Sequence, residues 1–186
     1  MSSIKTTSIE NLQRTSFDIH PDLLLCNKLI FQPCNLLCTS KPAMEPESEA
    51  YGAFSLALNN CRMEFRVAKT TPTKNGHFVT LWKRIKKGPI MPYDVNDPLD
   101  LVVVCVREND KYGQFVFPKS ILVAMGVFSV DGKGGKRAIR VYAPWVKVES
   151  SQAMKTQTWQ TKYFVDLSDT ASNLNIEHIQ NLYRAK

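Results

Sequence analysis

Residues 66–84 read Arg66-Val67-Ala68-Lys69-Thr70-Thr71-Pro72-Thr73-Lys74-Asn75-Gly76-His77-Phe78-Val79-Thr80-Leu81-Trp82-Lys83-Arg84. Phe65 and Val67 alternate with Glu64, Arg66 and Ala68, while Phe78, Thr80 and Trp82 alternate with Val79 and Leu81. A period of two sends successive side chains to opposite faces of a strand, so the block predicts a β-hairpin. Its turn is a Thr/Pro/Lys stretch closed by Asn75-Gly76, and its second arm ends in the basic pair Lys83-Arg84.

Downstream, a Lys/Gly/Pro loop over residues 86–98 leads to Asp100 and then to Leu101-Val102-Val103-Val104-Cys105-Val106. A nearly all-apolar run of strand length predicts burial on both faces and a central place in a sheet, because an exposed edge of this kind would invite aggregation. A polar tip over residues 108–113 turns the chain into a strand at 114–117, which Pro118 stops. Residues 120–125 then predict a short helix ended by Gly126. Strand-like residues 127–130 and 137–142 flank a Gly/Lys loop, Ser151 is placed to cap a helix over 152–164, and Ile176, Ile179, Leu182 and Tyr183 mark a last amphipathic helix.

Upstream, Pro21 and Asp22 predict the start of a helix that Pro33 ends, and a further helical turn is expected over residues 9–14. Pro46, Glu47 and Glu49 suit a helix N-terminus. The spacing of Ala50, Ala53, Phe54, Ala57 and Leu58 then predicts a helix over residues 46–58 stopped at Asn59-Asn60. The sum is an α/β chain with one mixed sheet of about five or six strands flanked by helices, in which residues 1–43 form a helical or irregular lead-in and residues 44–186 the α/β domain.

At 186 residues, with 44% hydrophobic and 22% charged residues, the composition is that of one ordinary globular domain. No apolar run approaches the ~20 residues that span a bilayer, so no membrane partner is expected. The N-terminus shows no basic stretch followed by an apolar one, so a secretory leader is not expected either. The five cysteines form no CxxC pair and have no second ligand pair at zinc spacing, which predicts free thiols and no metal site.

The net charge of +7 is unevenly placed. Residues 62–87 hold Arg62, Arg66, Lys69, Lys74, Lys83, Arg84, Lys86 and Lys87 against Glu64 alone. Residues 133–162 hold Lys133, Lys136, Arg137, Arg140, Lys147, Lys155 and Lys162 against Glu149 alone. Two basic segments on an otherwise near-neutral chain predict a polyanion-binding face if folding unites them. In the helix expected after Ser151, Lys155, Trp159 and Lys162 share a stripe, so Trp159 serves either as a stacking platform between ammonium groups or as core. His20, His77 and His178 have no partner at ligand spacing and read as surface residues.

Several blocks in order carry a resemblance: Glu49-Ala50-Tyr51-Gly52-Ala53, the hairpin of residues 66–84, and Gly113-Gln114-Phe115-Val116-Phe117-Pro118-Lys119. They continue with Gly135-Lys136-Arg137-Ala138-Ile139-Arg140-Val141-Tyr142, Pro144-Trp145 and Lys155-Thr156-Gln157-Thr158-Trp159-Gln160. Together they resemble the MepB-like family of bacterial proteins. The resemblance implies a cytoplasmic, single-domain protein and specifies no reaction. It also suggests a core similar to that of restriction endonucleases. Such a core would assign catalytic roles to Glu49 on a helix, Asp100 opening one strand and Lys119 closing the next, with Mg²⁺ as the cofactor. Phe117 stands where that motif needs an acid, so the motif is incomplete.

The expected function is therefore binding of nucleic acid or another phosphorylated partner, carried by Lys83, Arg84, Lys136, Arg137, Arg140, Lys155 and Trp159. A metal-dependent nuclease with a degenerate motif and a protein-interaction module with incidental positive charge are the competing expectations.

Overall fold

The computed structural model describes residues 19–169 and 174–184; the helical turn expected over residues 9–14 lies outside them. The decisive element is β8, Leu101–Glu108, which sits between β3, Cys61–Val67, and β9, Lys111–Pro118. It pairs in parallel with β3 and antiparallel with β9. The full sheet has six strands in the order β1-β2-β3-β8-β9-β11, with β1 at Ala43–Met44, β2 at Phe54–Leu58 and β11 at Phe164–Asp166. This is the expected mixed sheet, and the all-apolar run is central in it.

Both faces of β8 are covered. Leu101, Val103 and Cys105 point into one core, which is closed by α1, Pro21–Cys26, with the π-helical turn Asn27–Phe31 that continues it, and by α4, Ile176–Arg184. Leu23, Ile30, Phe31, Ile179, Leu182 and Tyr183 supply the helical side of that layer. Val102, Val104 and Val106 point into the other core, against Val79, Leu81, Ile139 and Val141. Val79, Ile139 and Val141 belong to a second sheet of three strands, β10-β5-β4, formed by Ala138–Val141, Lys74–Thr80 and Lys69–Thr71, and Leu81 directly follows its middle strand. The short helix α2, Lys119–Ala124, adds Leu122 to this side.

The expectation of a single sheet holding all the strands is thus corrected. Val67 still pairs with Cys105, and the Ala68 N–H still reaches the Cys105 carbonyl, at 2.9 Å. From Lys69 the chain pairs instead with β5. The hairpin is real but short, turning at Pro72-Thr73, while Asn75-Gly76 forms a bulge inside β5 rather than the turn itself. Gly76 has φ +80°, and a Cβ there would lie 2.6 Å from the Tyr142 ring, so the position needs glycine twice over. The expected alternation holds, with His77, Val79 and Leu81 facing inward. His77 is accordingly buried, not superficial, with Nε2 3.3 Å from the Arg107 carbonyl.

The helix expected over residues 46–58 is also corrected. A 3₁₀ segment, Pro46–Tyr51, ends at Gly52 in the left-handed region, and Phe54–Leu58 is strand. Phe54, Leu56 and Leu58 are buried while Ser55 and Ala57 face the other side, a period-two pattern hidden within residues that also match helical spacing. Asn59 and Asn60, at φ 48° and 66°, form the tight turn to β3. Such a turn requires positive φ at both positions, which asparagine tolerates. Likewise the helix expected over 152–164 is shorter: α3 spans Ser151–Gln160, a 3₁₀ turn follows, and Phe164 enters β11.

On the face of β3 turned toward the second core, Arg66 is fully buried. Its Nη2 donates to Glu45 Oε2 at 2.7 Å and to the Tyr93 hydroxyl at 3.2 Å. Its Nη1 donates to Glu64 Oε2 at 3.0 Å and to the Phe65 carbonyl at 2.9 Å. Ser55 Oγ bridges the two carboxylates, 3.1 Å from Glu45 and 2.7 Å from Glu64. Burial pushes the Glu64 carboxyl up to about 7 despite the attraction of Arg66, which Glu45 shares.

Removing the cation would leave two crowded carboxylates, so Arg66→Leu is expected to cost about 3–5 kcal/mol in urea unfolding at neutral pH. Between its ordinary value of 4.5 and about 7, Glu64 holds a proton in the folded chain that the unfolded chain has released. Its contribution to stability should therefore fall as pH rises through that window. Stability curves of wild type and Glu64→Gln, compared across the window, should diverge in slope; parallel curves would remove the assignment.

Candidate basic groove

β10 is an edge strand of the small sheet, and its outer side is closed by a helix. Gln160, in the last turn of α3 and buried, accepts the Tyr142 N–H at 2.8 Å and donates Nε2 to the Arg140 carbonyl at 3.0 Å. One side-chain amide thus does for the open edge what a neighbouring strand would do. One turn earlier, Gln157 Nε2 donates to the carbonyls of Ala143 and Val146, at 2.9 Å each. At the other end of α3, Ser150 Oγ accepts the Ala153 N–H at 3.2 Å, capping the helix one residue earlier than expected. Trp159 rests on Phe117 of the central sheet with ring centroids 5.3 Å apart.

This docking leaves a groove of about 830 Å³ between α3 and β10. Lys74, Lys136, Arg140 and Lys155 line it together with Tyr142, Trp159, Ser151 and Gln152, and no Asp or Glu does. None of the four cations forms an ion pair with a described residue. Arg140 is held in place through Nη1, which donates to the carbonyls of Lys74, Asn75 and Gly76 at 3.2, 3.3 and 3.0 Å. Uncompensated positive charge in a concave, partly desolvated wall concentrates anions there.

Of the expected binding residues, Lys136, Arg140, Lys155 and Trp159 come together in this groove. Trp159 packs on Phe117 of the core and also lines the groove. Arg137 is exposed and does not line it; its carbonyl accepts the Leu81 N–H at 2.9 Å. Lys83 and Arg84 stand elsewhere, in β6, Lys83–Arg84, which pairs with β7, Ile90–Met91. Each has an acid: Lys83 pairs with Asp97, and Arg84 donates to Glu47 at 2.8 Å. Lys83 lines a smaller cleft of about 200 Å³ with Asp94, Asp97 and Ser129. There the Ser129 hydroxyl and the Gly132 and Asn96 amides hold Asp94 down to about 2. Lys74, Tyr142 and Gln160 also line the groove but were not among the expected binding residues. Lys74 and Tyr142 reach it only through strand pairing, although the Gln157-Thr158-Trp159-Gln160 run lay within the blocks quoted above.

The catalytic trio does not assemble. Asp100 and Lys119 are neighbours, since the Lys119 N–H donates to the Asp100 carbonyl at 2.8 Å. Asp100 Oδ2 accepts the Arg62 N–H at 2.9 Å, at the start of β3. Glu49 is exposed near Gly52, which lies against Val67 at the opposite end of that strand. Five residues of strand separate the two ends by roughly 16 Å. Nor do the donors suit a divalent ion. Asp100 already serves a backbone amide, Lys119 Nζ donates to the carbonyls of Val95 and Asp97 at 3.1 and 2.7 Å, and Phe117 is stacked on Phe115. Among the described residues, no three His, Cys, Asp or Glu side chains are grouped to hold a metal ion.

The MepB-like family model matches residues 45–166. The chain belongs to the MepB-like family. A crystal structure of MepB is similar to it with a TM-score of 0.68 and 27% identity, covering 82% of this chain and 99% of the other. A comparison with curated proteins finds no match. The matched region of this MepB-like protein contains every residue that lines the groove. No described helix is long and apolar enough to cross a membrane.

Gln160→Ala would leave the Tyr142 amide and the Arg140 carbonyl without partners beneath α3. A loss of about 1–3 kcal/mol in unfolding free energy is expected, with faster amide exchange at Tyr142; unchanged exchange there would refute the clamp.

Proposed function

We propose that this MepB-like protein binds nucleic acid through the groove between α3 and β10. The observation that carries the reading is the set of four cations, Lys74, Lys136, Arg140 and Lys155, that share one concavity without a carboxylate among its walls. A merely solvated basic surface tends to intersperse its acids, as Lys83 and Arg84 do with Asp97 and Glu47. Rigid placement adds to the charge: Arg140 is tied to the hairpin carbonyls, and α3 is tied to β10 by Gln160 and to the segment after it by Gln157. Less side-chain and backbone freedom is then lost when a phosphate chain docks.

Neutralising the phosphates releases condensed counterions, so affinity should fall with salt. Four contacts predict a log–log slope of about −3 for a single strand. Lys136→Glu combined with Lys155→Glu should weaken binding at least about tenfold and flatten the slope by one to two units. Lys28→Glu, on the helix covering the opposite face of the sheet, should do neither. Fluorescence anisotropy with a labelled oligonucleotide across a salt series reads all three. Equal binding by wild type and the double variant would exclude the groove as the site.

A further inference from the structure

We infer that the occupant of the groove is a single-stranded stretch of polynucleotide whose unstacked bases rest on Trp159 and Tyr142. This rests on the nucleic-acid reading above and adds to it the form of the ligand. Lys136 and Arg140 lie four positions apart on a largely extended run, roughly 13 Å at strand rise, and Lys74 lies beyond Arg140, whose Nη1 meets its carbonyl. Lys155 stands on the opposite wall. Cations strung along a groove match a chain of phosphates better than one phosphate group, which a tight cluster of donors would hold.

The aromatic rings separate single strands from duplexes. Tyr142 packs one side against the Gly76 backbone, and Trp159 packs one side against Phe117, while both line the groove. Each ring is therefore braced from behind and presents aromatic surface in front. In a duplex the bases are stacked on one another, so only its phosphates could use this site. A single strand turns its bases out and gains stacking, worth about five- to a hundredfold in affinity per base. A concavity near 830 Å³ is of the size that encloses a drug-sized ligand; it suits bases turned out of a strand rather than the body of a duplex.

The test measures binding of four probes to the full chain at one salt concentration: an oligothymidylate, an abasic strand of equal length, a hairpin duplex, and heparin. The expected result is oligothymidylate binding about tenfold tighter than the abasic strand, with the duplex and heparin no better than the abasic strand. Trp159→Leu keeps apolar bulk against Phe117 and should cut that preference at least about fivefold. Tyr142→Leu should reduce it in the same sense. The comparison of oligothymidylate with abasic strand needs no variant, so it decides even if a substitution disturbs folding. Equal affinity for all four probes would overturn the single-strand inference and leave polyanion binding standing. Binding of none would remove both.

Discussion

A strand that is apolar at six successive positions has no face to offer to water. Leu101 to Val106 therefore impose a layer on each side of the central sheet, and the rest of the molecule is arranged to supply them. On one side the layer is helical, from α1 and α4; on the other it is a second sheet, topped by α2 and α3. Each buried methylene contributes about 0.8 kcal/mol, so covering both faces of one such strand outweighs the propensity of any short flanking segment. That is why residues 54–58, compatible with helix by spacing, extend as a strand beside β3.

Polar chemistry inside this frame is confined to places where the sheet can satisfy it. Arg66 lies on the face of β3 turned toward the second core, and it is accommodated because Glu45, Glu64, Tyr93 and a backbone carbonyl surround its guanidinium. The cluster joins β3 to the residue after β1 and to the loop before β8, so electrostatics there locks connections that packing alone would leave loose. The same logic appears at the edge of the small sheet, where the Gln160 amide closes hydrogen bonds that a strand would otherwise have to make. Because that closure comes from a helix side chain, the backbone of α3 stands off from β10 and a groove remains between them.

The groove's charge is distinctive for what it lacks. Outside it several cations meet acids: Arg107 with Asp22, Arg84 with Glu47 and Lys83 with Asp97. Along α3 and β10 they do not, although Glu149 lies just ahead of the helix and pairs with Lys147. The fold separates the trio that a nuclease-like site would need. Asp100 and Lys119 are neighbours but are bonded to backbone, and Glu49 stands at the other end of β3, so carboxylates and ammonium never converge on a common point.

By itself the sequence determined the elements whose signals are local. The period-two alternation around Phe65 and Val79, the all-apolar run of β8, the Pro21 helix start and the charge imbalance of residues 133–162 could all be read without coordinates, because each depends on neighbours a few residues apart. Tertiary structure alone decided which strands share a sheet. At Ala68 the chain leaves one sheet for another with no change of local pattern, and only the need to cover Val102, Val104 and Val106 makes it do so. It also decided the membership of the groove. Lys74 and Lys155 are distant in sequence and meet because strand pairing sets β10 beside β5 and Gln160 sets α3 beside β10. Lys83 and Arg84, equally basic in sequence, are drawn away by Asp97 and Glu47. Charge is a property of residues, but whether it is free to bind depends on which acids the fold brings near, and that is a long-range fact.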